Sequence, residues 1–132
     1  MAAVLDTHAA IWYVFAPKRL SHDALRFIRR AIDGGKPVFV SAISIVEAIY
    51  LVERGRVPLE AVQRLEAALK GPAPGLRVAP VDEDVAQVVY QVPRDRVPDM
   101  PDRIIAATAL HLNLPLITRD QRIRSTRIRT IW

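Results

Sequence analysis

The chain contains no cysteine. Disulfides and thiol chemistry are therefore excluded, which is compatible with the cytosol. Lysine is scarce as well, three against sixteen arginines. No apolar run reaches the roughly 18 residues that a membrane span needs, because Pro115 breaks the longest candidate. Met1 leads directly into a strand-like Ala-Ala-Val-Leu with no basic leader, so no secretory signal is expected. The expected location is cytoplasmic, with no membrane partner. Internal repeats, low-complexity segments and a domain linker are also missing. The Pro/Gly loop at 71–75 is too short and too early to separate two cores.

What is there is a chain of 132 residues, 51% of them hydrophobic, enough for a single domain over 1–132 with a substantial core. Its net charge is +5, and arginine binds phosphate in a bidentate fashion better than lysine does. That balance fits a protein that meets a polyanion. A GC-rich genome pushing lysine toward arginine would leave the same imprint.

Apolar bursts suited to buried strands occur at Ala2–Leu5, Pro37–Val40, Leu76–Ala79, Leu116–Thr118 and Arg127–Ile131. Segments with helical spacing lie between them. Ser21 caps one in which Leu25, Ile28 and Ile32 share a face, and Gly34-Gly35 ends it. A second runs from Ile45 to Val52, and Pro58 opens a third. Asp82 caps a short helix through Tyr90, and Pro101 suits the first turn of a last one from Asp102 to about His111. Strands and helices in alternation, the strands nearly all apolar, predict an α/β domain with a mostly parallel sheet covered on both faces.

Acids interrupt this pattern in a particular way. Asp6 is the only carboxylate or strong base from Met1 to Pro17, and Glu47 is the only one from Val38 to Val52. Asp102 and Asp120 bracket an apolar stretch, Ile104 to Thr118, that carries no Asp, Glu, Lys or Arg. An ionised carboxylate is costly to bury without a partner. Asp6 and Asp120 each follow a strand, at the edge where open parallel sheets collect ligands. Each acid also has a plain structural explanation. Ser44 to Glu47 reads as a capping box, Asp6 and Asp99 or Asp102 suit helix starts, and Asp120 suits a turn. Four caps, however, need not be the lone acids of apolar segments. Clustered carboxylates raise one another's pKa unless a cation neutralises them, and hard oxygen ligands suit Mg²⁺ or Mn²⁺.

The stretches VLDTHAAIW, VSAISIVEAIYL, DMPDRIIAATALHLNLPLITRD and the closing TIW, in that order, resemble the PIN-domain ribonucleases, and among them the VapC-type toxins of toxin–antitoxin pairs. The likeness spans Val4 to Trp132. It implies a PIN-like α/β fold and an Mg²⁺- or Mn²⁺-dependent endoribonuclease that cleaves single-stranded or loop RNA. It also implies a cognate antitoxin and a homodimer. Carried over by position, the catalytic and metal-binding acids are Asp6, Glu47, Asp102 and Asp120, with Asp99 as a further acid seen in part of the family. Thr7 and Thr118 stand beside them as hydroxyls able to orient carboxylates.

The implied mechanism holds a cation mainly on Asp6, Asp102 and Asp120, while Glu47 binds a second ion or orients the attacking water. His8 is read as structural. Trp12, Tyr13 and Phe15 are read as core and partner contacts. Arg119, Arg122 and Arg124 form a basic rim for RNA next to Asp120, and Arg103 either pairs with a pocket acid or reaches the substrate. Two other classes stay open. One is a catalytically silent PIN-like module binding RNA or protein. The other is a phosphatase-like or response-regulator-like domain, which fits less well because no lysine follows Lys70.

Overall fold

The computed structural model describes residues 1–132. Its centre is a five-stranded sheet in which every neighbouring pair is parallel. The strands are β1 (Ala3–Leu5), β2 (Val38–Ser41), β3 (Leu76–Ala79), β4 (Leu116–Ile117) and β5 (Thr130–Ile131), in spatial order β3-β2-β1-β4-β5. β1 is central: Val4 is in register with Phe39 on one side and with Leu116 on the other. All three of its residues are fully buried, as the apolar run requires when both faces are covered.

The two faces follow from the period of two along a strand. Ala3 and Leu5 pack into one cluster with Val38, Val40 and Ile117. Val4 and Leu116 point the other way, into a second cluster with Ile105, Ala106 and Ile123. Each large aliphatic side chain so buried contributes roughly 1.5–3 kcal/mol. The first face is covered by α1 (Thr7–Phe15), α2 (His22–Asp33), α3 (Ala42–Glu53) and α4 (Leu59–Leu69). The second is covered by α5 (Glu83–Val88), α6 (Met100–Leu112) and the single turn α7 (Gln121–Arg124).

The crossover from β1 to β2 leaves on one face and the connection into β4 returns on the other, so the strand order reverses between β1 and β4. In such sheets a crevice opens at the carboxyl ends of the strands at that point. Asp6 ends β1 and Asp120 lies just past β4.

Helix boundaries differ from the sequence reading in instructive places. The last long helix starts at Met100, two residues before the expected Asp102, because Asp99 caps it by accepting from Asp102 N at 3.1 Å. It ends at Asn113, whose left-handed φ of 53° closes the final turn. α3 begins at Ala42 rather than near Ile45, because Ser41 is its cap and accepts from Ile43 N at 3.2 Å. The expected capping box from Ser44 to Glu47 does not form: Ser44 is buried inside the helix, and Glu47 is its sixth residue. The fifth strand is shorter than expected, Thr130–Ile131, and Asp120 caps α7, where a turn was expected.

Candidate active site

A cleft of about 480 Å³ opens at the β1–β4 switch point, lined by Asp6, Glu47, Asp99, Asp102 and Asp120 together with Thr7, His8, Trp12, Arg119 and Trp132. The acids reach it from four helices: the starts of α1, α6 and α7, and the second turn of α3. Asp6 caps α1, its carboxylate accepting from Ala9 N at 2.8 Å. Asp120 caps α7, accepting from Arg122 N at 2.8 Å, while its own N–H donates to the buried Thr118 hydroxyl at 3.0 Å. Asp99 and Asp102 sit at the start of α6. The capping expectation for Asp6 thus holds, and the same carboxylate lines the cleft, since helix starts at this edge are where the crevice lies.

Glu47 has no cap to serve. It projects from the second turn of α3 and is hydrogen-bonded to the buried Thr7 hydroxyl, which also lies 3.0 Å from Ser44 Oγ. The chain Ser44–Thr7–Glu47 therefore fixes one carboxylate oxygen against the first turn of α1. Thr7 and Thr118 both stand beside site acids.

Electrostatics set this cleft apart. Burial pushes the Asp6 carboxyl up and Asp120 adds to it, against the Thr118 hydroxyl, the Ala9 N–H and His8. Burial likewise raises Glu47, with Asp99 and Asp6 contributing, although Thr7 opposes the rise. Asp102 is pushed up to about 7 by burial and then by Asp99, Asp120, Glu47 and Asp6 in turn. No basic side chain lies in ion-pair range of any of them; the molecule's two ion pairs, Arg26–Asp23 and Arg64–Glu60, are on the surface. Like charges are gathered here without a counter-charge in ion-pair range.

The donor set is hard oxygen, with His8 as the one nitrogen ligand type in the lining. That chemistry fits Mg²⁺ or Mn²⁺ and suits neither soft metals nor a thiolate site. No three acidic or histidine side chains are gathered closely enough to hold an ion between them as they stand. An ion that keeps several of its waters does not require direct contact with every acid.

The basic candidates separate. Arg119 lines the cleft, its guanidinium carbon 4.7 Å from the centroid of the Trp12 ring. Arg122 and Arg124 are exposed on α7 outside the lining. Arg103 is corrected: its guanidinium turns away from the acids and donates to the carbonyls of Val89 (3.0 Å) and Val92 (2.9 Å). It clamps the 3-10 turn Val89–Gln91 to α6, and a carbonyl pair satisfies its fork as a carboxylate would.

Two residues escaped the sequence reading. Trp12, expected in the core, is buried yet walls the cleft, and Trp132 packs 6.0 Å from it, ring to ring. The one signal was the placement of a tryptophan directly after the last strand.

Residues 3–128 match the family profile of the PIN domain. The chain is 35% identical to ribonuclease VapC22 of Mycobacterium tuberculosis over 124 residues, 94% of this chain and 91% of that one. Among solved structures, VapBC2 from Rickettsia felis, bound to a DNA fragment from its promoter, superposes with a TM-score of 0.72 at 14% identity, covering 98% of this chain and 97% of that one. A toxin–antitoxin complex from Klebsiella pneumoniae gives 0.67 at 21%, covering 98% and 96%. M. tuberculosis VapC20, a sarcin–ricin loop cleaving toxin, gives 0.64 at 18%, covering 96% and 95%.

Proposed function

The chain belongs to the PIN-domain family, and from that premise we propose that it is a metal-dependent endoribonuclease, the toxin of a toxin–antitoxin pair. The observation that carries this reading is the cleft of five carboxylates with no ion-pair partner, one of them pushed up to about 7. Asp6, Asp102 and Asp120 would hold Mg²⁺ or Mn²⁺, with Glu47 and Asp99 at its margin. Held there, such an ion would offset the negative charge of the cleft and would supply Lewis-acid activation of a phosphate oxygen and of water.

The chain's own side chains do the rest. Glu47 is held at one oxygen by Thr7, which leaves the other to orient the attacking water or take its proton. Asp6 is anchored by Ala9 N, so it cannot swing out of the cleft. Arg119 at the rim, with Arg122 and Arg124 beyond it, draws the RNA backbone toward an otherwise repulsive pocket. Trp12 and Trp132 wall the cleft, and the Trp12 ring carries the Arg119 guanidinium at its rim.

The partners follow the same reading. A cognate antitoxin would most economically place an arginine among these acids and compete with the cation. Val46, Ile49 and Tyr50, apolar and exposed on α3, suit a contact between two copies of the chain, which sedimentation tests. No helix is long and apolar enough to cross a membrane, and cytoplasmic RNA is the proposed substrate.

The deciding experiment compares wild type with Asp6→Asn. Asparagine caps helices as well as aspartate does but lacks the charge that Mg²⁺ requires. Induced expression of the variant should restore growth. The purified variant should leave an RNA pool intact where wild type with Mg²⁺ generates discrete new ends. Equal toxicity and equal cleavage would reduce Asp6 to a cap and overturn the mechanism.

A further inference from the structure

A second concave surface lies away from the acids. A cavity of about 390 Å³ is lined by Gln91, Arg96, Leu110, Thr126 and Arg127 among others, and no carboxylate contributes to it. Next to it, sharing Gln91, is a hollow bordered by Tyr90 and His111, whose one acid is Asp84. Tyr90 is 93% exposed. Its neighbours Val88 and Val89 pack onto the core, so the turn is anchored while the tyrosine ring buries almost nothing. Arg96 is pinned by its bond to Ser125 O at 2.7 Å, and Arg127 leans on Gln91 Oε1 at 3.4 Å; neither forms an ion pair.

The two sites are mechanically connected. Arg103, next to Asp102, holds the Val89–Gln91 turn by its carbonyls. Along α6, Leu110 in this cavity is eight residues beyond Asp102, about 12 Å at the rise of an α-helix. Unpaired guanidiniums in a cavity without acids call for an anionic ligand. An exposed aromatic ring beside them gives a base a face on which to stack, and together these are the means by which proteins hold single-stranded nucleic acid.

We propose that Tyr90, Gln91, Arg96 and Arg127 form a second single-strand RNA subsite, which binds a nucleotide further along the strand whose phosphodiester is cleaved among the carboxylates. Tyr90 stacks the base, Arg127 and Arg96 take the adjoining phosphate, and Arg103 positions the turn. The subsite rests on the endoribonuclease reading and deepens it: a strand must reach both places to gain from both.

The test uses the full chain and single-stranded RNA of about four and about twelve nucleotides, within the range of single-strand binding sites. Binding is measured in EDTA, and KM and kcat in Mn²⁺. For the longer strand, Tyr90→Ala should weaken binding and raise KM about tenfold, the loss expected of one stacked base. Tyr90→Phe should preserve both, because the stacking role needs the ring and not its hydroxyl. Arg127→Ala should reduce the salt dependence of binding by about 0.7 in log–log slope, one phosphate contact on a single strand. The advantage of the longer strand over the shorter should shrink in both alanine variants. Unchanged affinity and KM in Tyr90→Ala and Arg127→Ala, with wild type active, would overturn the subsite alone. A wild type that neither binds nor cleaves RNA would overturn the endoribonuclease reading and the subsite with it. Variants that lose self-association while keeping RNA affinity would assign this surface to a protein contact and overturn the proposal.

Discussion

At the scale of single residues, Asp102 carries a pH signature with a definite sign. Its carboxyl is pushed from 3.8 up to about 7 in the folded chain, by burial first and then by four neighbouring carboxylates. Between about pH 4 and pH 7 the native state keeps a proton that the unfolded chain has released. Stability of the metal-free protein should therefore fall as pH rises through that window and level off on either side. Asp6 and Glu47 are raised in the same direction and add to the slope. Melting curves in EDTA across the window should show the decline, and Asp102→Asn should flatten part of it. A wild type that gains stability over that range relative to the variant would contradict the uncompensated cluster. Thr7 offers a second check. Thr7→Val keeps the shape of a buried side chain but frees Glu47, and cleavage should drop by about 10- to 100-fold, as for groups that orient functional carboxylates, with little change in the melting temperature of the metal-bound protein.

At the scale of elements, the helix that carries Glu47 separates a structural role from a functional one. Ser41, fully buried, caps α3, so Ser41→Ala should cost about 1 kcal/mol in urea unfolding. Glu47→Gln should not destabilise the metal-free fold, because Glu47 caps nothing and its ionised form is disfavoured by burial. A capping loss at Glu47 instead of Ser41 would restore the sequence reading of that segment. That reading failed because Ser41 and Ser44 are both competent caps three residues apart, and only the end of β2 decides between them. Elsewhere the local signals sufficed. Ser21, Pro58 and Asp82 start helices where their chemistry predicts, and the buried strands announced themselves as apolar runs. The acids were legible for the same reason, as lone charges in apolar surroundings. Arg103 was not legible, since its acceptors are carbonyls eleven and fourteen residues upstream, set by how α6 packs on the turn. α7 is a single turn, too short for any periodicity to show, and the tryptophan wall brings together two ends of the chain that no spacing connects.

At the scale of the whole molecule, the balance of charge makes the metal-free protein a strained version of itself. The surface is rich in arginine, with a net charge of +5, yet none of those arginines pairs with the five acids of the cleft. On the proposed reading, an added cation would relieve the repulsion among these acids. A cation that binds only the folded state stabilises by mass action, about 2.7 kcal/mol at a hundred times its dissociation constant. For a chain of this length that corresponds to roughly 10 °C in Tm. Saturating Mn²⁺ should therefore raise the melting temperature by that order at neutral pH. The gain should shrink toward pH 5, where Asp102 holds a proton in place of the metal. The Asp6→Asn/Asp102→Asn double variant should melt above wild type without metal, because two of the repelling charges are gone, and should not respond to Mn²⁺. The two arms test different claims. A double variant no more stable than wild type in EDTA would mean that the acids do not repel. A double variant that still responds fully to Mn²⁺ would place the metal elsewhere on the molecule.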